Sequence, residues 1–285
     1  MASWPWRGDA PPTDAGVREA LLPETLARAA QLPFYRRRWG RRAERALASL
    51  PLLTKADAVA HQHQLVSPGT GPFVGVISSG TQHGDRRPLR VPETAVERES
   101  FSEFAAWRAG PGVSGTTGLT LEVLSMQHGF PEGPAPEGVL RVGWTFTETT
   151  LKLIRQLLLQ RHGRARVEAL VIGAGALPAL TAFLYEQGED FSRLKVQDIG
   201  TTGFRLSRFW KERVEALWGA TVYDNFSLSE FATPATECKA CGWLHFGWPP
   251  VIYEVLDLQT GARKTRGVGR LVLTALCDKQ VDIDE

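Results

Sequence analysis

The sequence is poor in cysteine, in charge of one sign and in unbroken apolar runs. Three cysteines among 285 residues are too few for a disulfide framework, and their spacing suits a metal better. Thirty-three Lys and Arg against 31 Asp and Glu leave a net charge of +2, too small to argue for nucleic acid. The densest basic run, Arg36-Arg37-Arg38 with Arg41, Arg42 and Arg45, shares its segment with Glu44 and reads as a solvated helix face. The longest apolar stretch, 169–180, is broken by Gly173, Gly175 and Pro178. It falls short of the roughly 20 residues that a membrane span needs. Met1 to Pro12 holds tryptophans and prolines but no apolar run of the kind that leads a secreted chain. The expectation is a cytoplasmic protein with no membrane and no nucleic-acid partner. There is no internal repeat.

What is present is the composition of a folded protein, 43% hydrophobic and 22% charged. The length can bury one large core or two modest ones. Residues 1–68 read as a helical segment, with apolar spacing over Val17–Ala30, a break at Leu32-Pro33-Phe34-Tyr35, and Thr54 placed to cap a short helix over Lys55–Gln62. Residues 69–230 read as an α/β core. Phe73–Ile77 is a strand, and 110–138 is rich in Gly and Pro and yields little. Thr147 caps a helix through Leu151, Ile154, Leu157 and Leu158; Leu170–Ile172 is a strand; Pro178–Gln187 is a helix closed by Gly188. Leu194–Val196 is read as the next strand, then a helix with Leu206, Phe209, Trp210, Val214 and Leu217 on one face, then a strand at Thr221–Tyr223. Such alternation predicts a mainly parallel sheet covered by helices. Residues 231–285 read as a β subdomain: Val251, Tyr253 and Val255 alternate, a turn follows at 257–261, and 270–274 is a partner strand.

Ile77-Ser78-Ser79-Gly80-Thr81-Gln82-His83-Gly84 joins a strand to polar sequence. Hydroxyls and glycine N–H groups in such a loop can surround an oxyanion. A plain Ser/Gly turn has the same composition, so the loop alone decides nothing.

The order of several motifs says more. Leu32-Pro33-Phe34-Tyr35, then Leu50-Pro51-Leu52-Leu53-Thr54-Lys55, then the loop at Ser78, resembles the opening of phenylacetate–CoA ligase-like adenylate-forming enzymes. Ser78, Ser79, Gly80, Thr81 and Gly84 match that family's phosphate loop, with Gln82, His83 and Asp85 departing from it. Asp198–Gly203, including Thr201 and Thr202, is similar to the turn that borders the adenine, and 222–230 is similar to the motif D-x-Y-G-L-S-E. Val251–Gly261 and Gly269–Ala275 resemble the family's later β segment. The resemblance spans about 32–276. It implies the fold of an adenylate-forming N-terminal domain: mainly parallel sheets covered by helices, with a small antiparallel β subdomain near the C-terminus. It also implies ATP or AMP, Mg²⁺, a small carboxylic acid and CoA. Residue types then suggest roles. Phe226 can stack on a purine; Asp224 and Asn225 can hydrogen-bond the base edge; Ser229 can contact phosphate. Glu230 supplies a hard carboxylate for Mg²⁺ and is the catalytic candidate.

Cys238-x-x-Cys241-x-x-x-His245 presents two thiolates from one turn, and Cys277 supplies a fourth donor, completing the count for a closed tetrahedral Zn²⁺ site. A redox pair or packing cysteines are the alternatives. In the resembled family the chain runs on through an Arg-Tyr-x-x-Gly-Asp segment into a C-terminal lid, and this sequence ends at Glu285 before either. The expectation is a fragment, a chain completed by a partner or carrier protein that brings the lid or the thiol, or a homologue that binds without catalysis. Val171–Pro178 also has strand, Gly-x-Gly and helix in order, which keeps a Rossmann-type oxidoreductase open.

Overall fold

A computed structural model describes residues 14–40, 46–65, 73–77, 88–92, 118–125, 137–145, 147–228, 231–238, 241–245, 251–264 and 266–276. The chain divides into two compact units, one drawn from 1–76, 82–104 and 248–285, the other from 77–81 and 105–247. Each is taken by itself.

The first unit opens with helices α1 (Asp14–Gln31), α2 (Pro33–Trp39) and α3 (Lys55–Ala60). Thr54 caps α3 as the sequence suggests. Its hydroxyl accepts the Asp57 N–H at 3.1 Å, and the Asp57 carboxylate accepts the Thr54 N–H at 3.1 Å, a reciprocal capping box. Strands β1 (Phe73–Ile77) and β2 (Pro88–Pro92) form a two-stranded sheet.

In the second unit seven strands form one sheet: β3 (Leu119–Ser125), β4 (Val139–Trp144), β5 (Val167–Gly173), β6 (Asp198–Thr202), β7 (Thr221–Leu228), β8 (Phe231–Glu237) and β9 (Leu244–His245). Their order is β4-β3-β5-β6-β7-β8-β9. The pairs from β4 to β7 are parallel, and β8 and β9 add an antiparallel margin. Helices α4 (Glu148–Leu159), α5 (Ala176–Glu186) and α6 (Arg208–Trp218) connect the parallel strands. Leu121, Leu170, Ile172, Ile199 and Val222 on the strands are buried with Ile154, Leu158, Leu177, Leu180, Leu184 and Val214 on the helices. Each such side chain contributes roughly 1.5–3 kcal/mol by leaving water. Trp218, buried with them, donates its Nε1–H to Thr181 Oγ1 at 3.1 Å, and the Thr181 hydroxyl donates to the Leu177 carbonyl at 2.9 Å.

Thr147 caps its helix as the sequence suggests, accepting the Thr150 N–H, and α6 ends at Gly219 in the left-handed region, φ 65°; at the start of α6, Ser207 accepts the Trp210 N–H, a cap the sequence reading did not name. Phe209, expected on the buried face of α6, is instead 66% exposed. The strand expected at Leu194–Val196 begins later, at Asp198. Leu194 and Val196 are buried while the chain approaches the sheet, so their apolar pattern marks packing rather than pairing. Residues 119–125 and 139–144, for which the sequence predicts no strand, form the parallel pair of β3 and β4.

Back in the first unit, β10 (Val251–Leu256) pairs antiparallel with β11 (Arg263–Lys264) and β12 (Arg270–Ala275). This is the expected small antiparallel sheet. Arg263 donates to the carbonyls of Leu47 at 3.0 Å and Leu50 at 2.6 Å and pairs with Glu254 at 3.1 Å, tying β11 to the turn before α3.

Candidate functional site

Open parallel sheets bind ligands beyond the carboxyl ends of their strands. Here those ends bring β6 and β7 together. Thr201 on β6 is fully buried, and its hydroxyl donates to the Asp224 carboxylate on β7. The same carboxylate oxygen accepts the Leu206 N–H at 3.4 Å. Asp224 donates its own N–H to Glu237 Oε2 at 2.9 Å, and Glu237 Oε1 accepts Lys211 Nζ at 2.5 Å. Next along the strand, Asn225 Oδ1 accepts the Thr236 hydroxyl at 2.9 Å. Both polar residues proposed for a base edge are therefore held by side chains of neighbouring elements. Phe226 follows, half-buried.

Two glycines make this convergence possible. A Cβ at Gly200 would lie 3.0 Å from Asn225 Nδ2 and 3.1 Å from the Tyr223 ring. A Cβ at Gly175 would lie 3.0 Å from the Phe204 ring, which projects from the end of β6 and is 64% exposed. The Ala174 N–H donates to the Thr202 carbonyl at 2.9 Å, so the β5–α5 turn belongs to the same strand ends.

A second cluster sits in the hairpin between β8 and β9. Cys238, Cys241 and His245 bring their donor atoms within 4.8 Å of one another, with Cys241 Sγ 3.1 Å from His245 Nε2. The hairpin closes through Cys238 N–H to the Trp243 carbonyl and Gly242 N–H to the Cys238 carbonyl, both 2.8 Å. Gly242 takes φ 70°, a conformation other residues resist. Tetrahedral Zn²⁺ with its usual bond lengths sets sulfur and nitrogen ligands about 3.6 Å apart. The soft donor set and its spacing fit a thiophilic divalent cation.

Two surface cavities lie elsewhere. One, of about 500 Å³, is lined by Arg155, Leu159 and Phe183 on α4 and α5; the other, of about 400 Å³, is lined by Arg164, Arg166, Lys195 and Gln197 at the amino ends of β5 and β6. Neither includes Thr201 or Asp224.

The chain matches no protein-family model and no curated protein. It does match solved structures. 2-Hydroxyisobutyryl-CoA ligase in complex with 2-HIB-AMP and CoA superposes with a TM-score of 0.68 at 17% identity, over 90% of this chain and 64% of that one. The same ligase in the postadenylation state gives 0.71 at 17% identity, over 92% and 59%. ATP-bound MatB from Rhodopseudomonas palustris gives 0.51 at 15% identity, over 75% and 41%. The fold is that of an adenylate-forming N-terminal domain. The chain spans about three fifths of the length of 2-hydroxyisobutyryl-CoA ligase.

On this adenylate-forming fold, Thr201, Thr202, Asp224, Asn225 and Phe226 share the carboxyl ends of β6 and β7. Cys238, Cys241 and His245 share the hairpin. Ser78, Ser79, Gly80, Thr81, Gly84, Ser229, Glu230 and Cys277 lie outside the described residues. Sequence reasoning missed Phe204, Lys211 and Glu237. The signal available for Glu237 was its place immediately before the first cysteine of the metal motif. Gly173 and Gly175, read as a rival dinucleotide fingerprint, border the strand ends already described.

Proposed function

We propose that this chain is the nucleotide-binding part of an acid–thiol ligase of the phenylacetate–CoA ligase type. ATP sits beyond β6 and β7, with its adenine beside Thr201, Thr202, Asp224, Asn225 and Phe226. The loop of Ser78, Ser79, Gly80, Thr81 and Gly84 and the hydroxyl of Ser229 receive the phosphates, and Glu230 holds Mg²⁺. A carboxylate oxygen of a small acid attacks the α-phosphorus; the bond to the β-phosphate oxygen breaks, and pyrophosphate leaves. The sulfur of CoA then attacks the acyl carbon, AMP leaves, and the thiol proton passes to solvent. The enzyme's part is positioning and charge neutralisation. Groups outside these 285 residues, in the same polypeptide or in a partner or carrier chain, supply the thiol-binding lid.

The observation that supports this reading most is the hydrogen bond between Thr201 and Asp224 at the strand ends of a fold shared with a ligase bound to 2-HIB-AMP. Carboxylic-acid-dependent exchange of labelled pyrophosphate into ATP, run over a panel of small acids with Mg²⁺, tests it. ATP binding by calorimetry with no exchange for any acid would leave a nucleotide-binding homologue, a reading favoured by Gln82, His83 and Asp85 in the phosphate loop.

Cys238, Cys241 and His245, with Cys277 as fourth ligand, hold a structural Zn²⁺ in this proposal. Bound zinc would lock the β8–β9 hairpin and leave no open coordination position for chemistry. Cys241→Ser is expected to lower zinc from about one per chain to near none; unchanged metal content would refute the site.

A further inference from the structure

The outer edge of β7 is finished in an unusual way. Val222 and Asp224 alternate along the strand and turn their N–H groups to the same side. Val222 N–H is accepted by Glu215 Oε1 of α6 at 2.9 Å, and Asp224 N–H by Glu237 Oε2 at 2.9 Å. The β7–β8 ladder includes Asn225 with Thr236 and Phe226 with Ala235. One step further, at Asp224, a side-chain carboxylate replaces the main-chain acceptor.

The Glu237 side chain is only 9% exposed, and both of its oxygens are used, one by the Asp224 N–H and the other by Lys211 Nζ. The residue that follows it is Cys238, the first donor of the knuckle. Glu237 also pairs with Leu244 across the hairpin, one position from His245. A shift of the hairpin therefore moves the Glu237 carboxylate, and through it the main chain of the residue whose side chain Thr201 holds.

We propose that Glu237 is a positioning residue that couples metal in the Cys238–Cys241–His245 knuckle to the Asp224 end of the nucleotide site. The inference rests on the adenylate-forming reading for its ligand, and on the hydrogen bonds alone for the coupling. A soft divalent cation in the hairpin fixes Glu237; Glu237 fixes the Asp224 amide; Asp224 then meets the base without first being ordered. A buried carboxylate accepting two charge-assisted or main-chain donors is suited to this, because losing it strands both donors.

The test uses the 285-residue chain loaded with Zn²⁺ or stripped by a zinc-selective chelator, as wild type, Glu237→Ala and Glu237→Gln. Amide hydrogen exchange at Asp224 reads the coupling without nucleotide, and calorimetric titration with Mg²⁺–ATP reads its effect. In the wild type, stripping zinc is expected to speed Asp224 exchange and weaken ATP by about tenfold, the scale of one hydrogen bond to a charged group. Glu237→Ala should show both losses with zinc still bound, with no further loss on stripping. A thiolate-to-Co²⁺ absorption band equal to that of the wild type would show that its knuckle is intact. Glu237→Gln keeps a carbonyl oxygen for the Asp224 N–H and should recover most of the protection. Asp224 exchange indifferent to zinc, or equal zinc sensitivity in wild type and Glu237→Ala, overturns the proposal. So does altered exchange with unaltered ATP affinity. If the wild type binds no ATP, the functional reading fails, and the exchange arm alone decides the coupling.

Discussion

Thr201 and Asp224 join neighbouring parallel strands through a hydroxyl that donates to a carboxylate. Thr201→Val keeps the shape and β-branching of the side chain and removes the donor. Among the described residues the Asp224 carboxylate then keeps only the Leu206 N–H at 3.4 Å. A hydrogen bond to a charged group contributes roughly 1.5–3 kcal/mol. The expected result is ATP binding weakened about tenfold or more, with thermal unfolding lowered by a few degrees. Calorimetry and a melting curve on the same sample measure both.

Gly200→Ala places a methyl 3.0 Å from Asn225 Nδ2 and 3.1 Å from the Tyr223 ring. Overpacking of this kind costs about 1–3 kcal/mol. Because Asn225 must shift, nucleotide affinity should fall together with stability. Gly138→Ala, by contrast, meets no atom within 4 Å, although φ 79° makes it strained. It should lower stability and leave ATP affinity unchanged, which separates steric damage at the strand ends from general loss of fold.

Thr181→Val leaves the buried Trp218 Nε1–H without its acceptor. An unmet buried donor costs about 1–3 kcal/mol. Denaturant unfolding should register this loss. Thr181 lies on α5 and makes no contact described for the strand ends, so Zn²⁺ content and ATP affinity are expected to stay at wild-type values.

Asp257 at the β10–β11 turn has its carboxyl held well below the ordinary 3.8, first by the Lys264 ammonium and then by the Thr260 N–H and hydroxyl and the Gln259 N–H. A depressed pKa in the folded state means that the contribution is fully present above the unfolded value and is lost as pH falls below it. Wild type and Asp257→Asn should therefore differ in melting temperature at pH 7 and converge as the pH is taken below about 3.8. A gap that widens in acid would contradict the assignment.

Much of this fold was legible because its signals are local. Thr54, Thr147 and Gly219 act where capping chemistry requires, and the antiparallel pair at 251–256 and 270–275 follows its alternation. β6 was misplaced because its sequence, Asp-Ile-Gly-Thr-Thr, has little strand propensity. Its glycine is demanded by Asn225 and Tyr223 of the next strand, a contact no local window contains. The same reason hid Glu237 and Lys211. Motif order pointed to Thr201, Asp224 and Asn225, but the group that holds Asp224 comes from the far side of a hairpin. The grouping of Cys238, Cys241 and His245 was legible in the sequence, since a C-x-x-C turn and a nearby histidine are close in sequence as well as in space.

The seven-stranded sheet ends in a strand only two residues long, Leu244–His245, and one of those two, His245, belongs to the proposed zinc site. If zinc binds there as proposed, withdrawing it would leave the antiparallel margin with little to keep it closed, and the main chain of β8 would become available to other copies of the protein. Zinc starvation would then show itself as turbidity and strand-paired aggregates during expression.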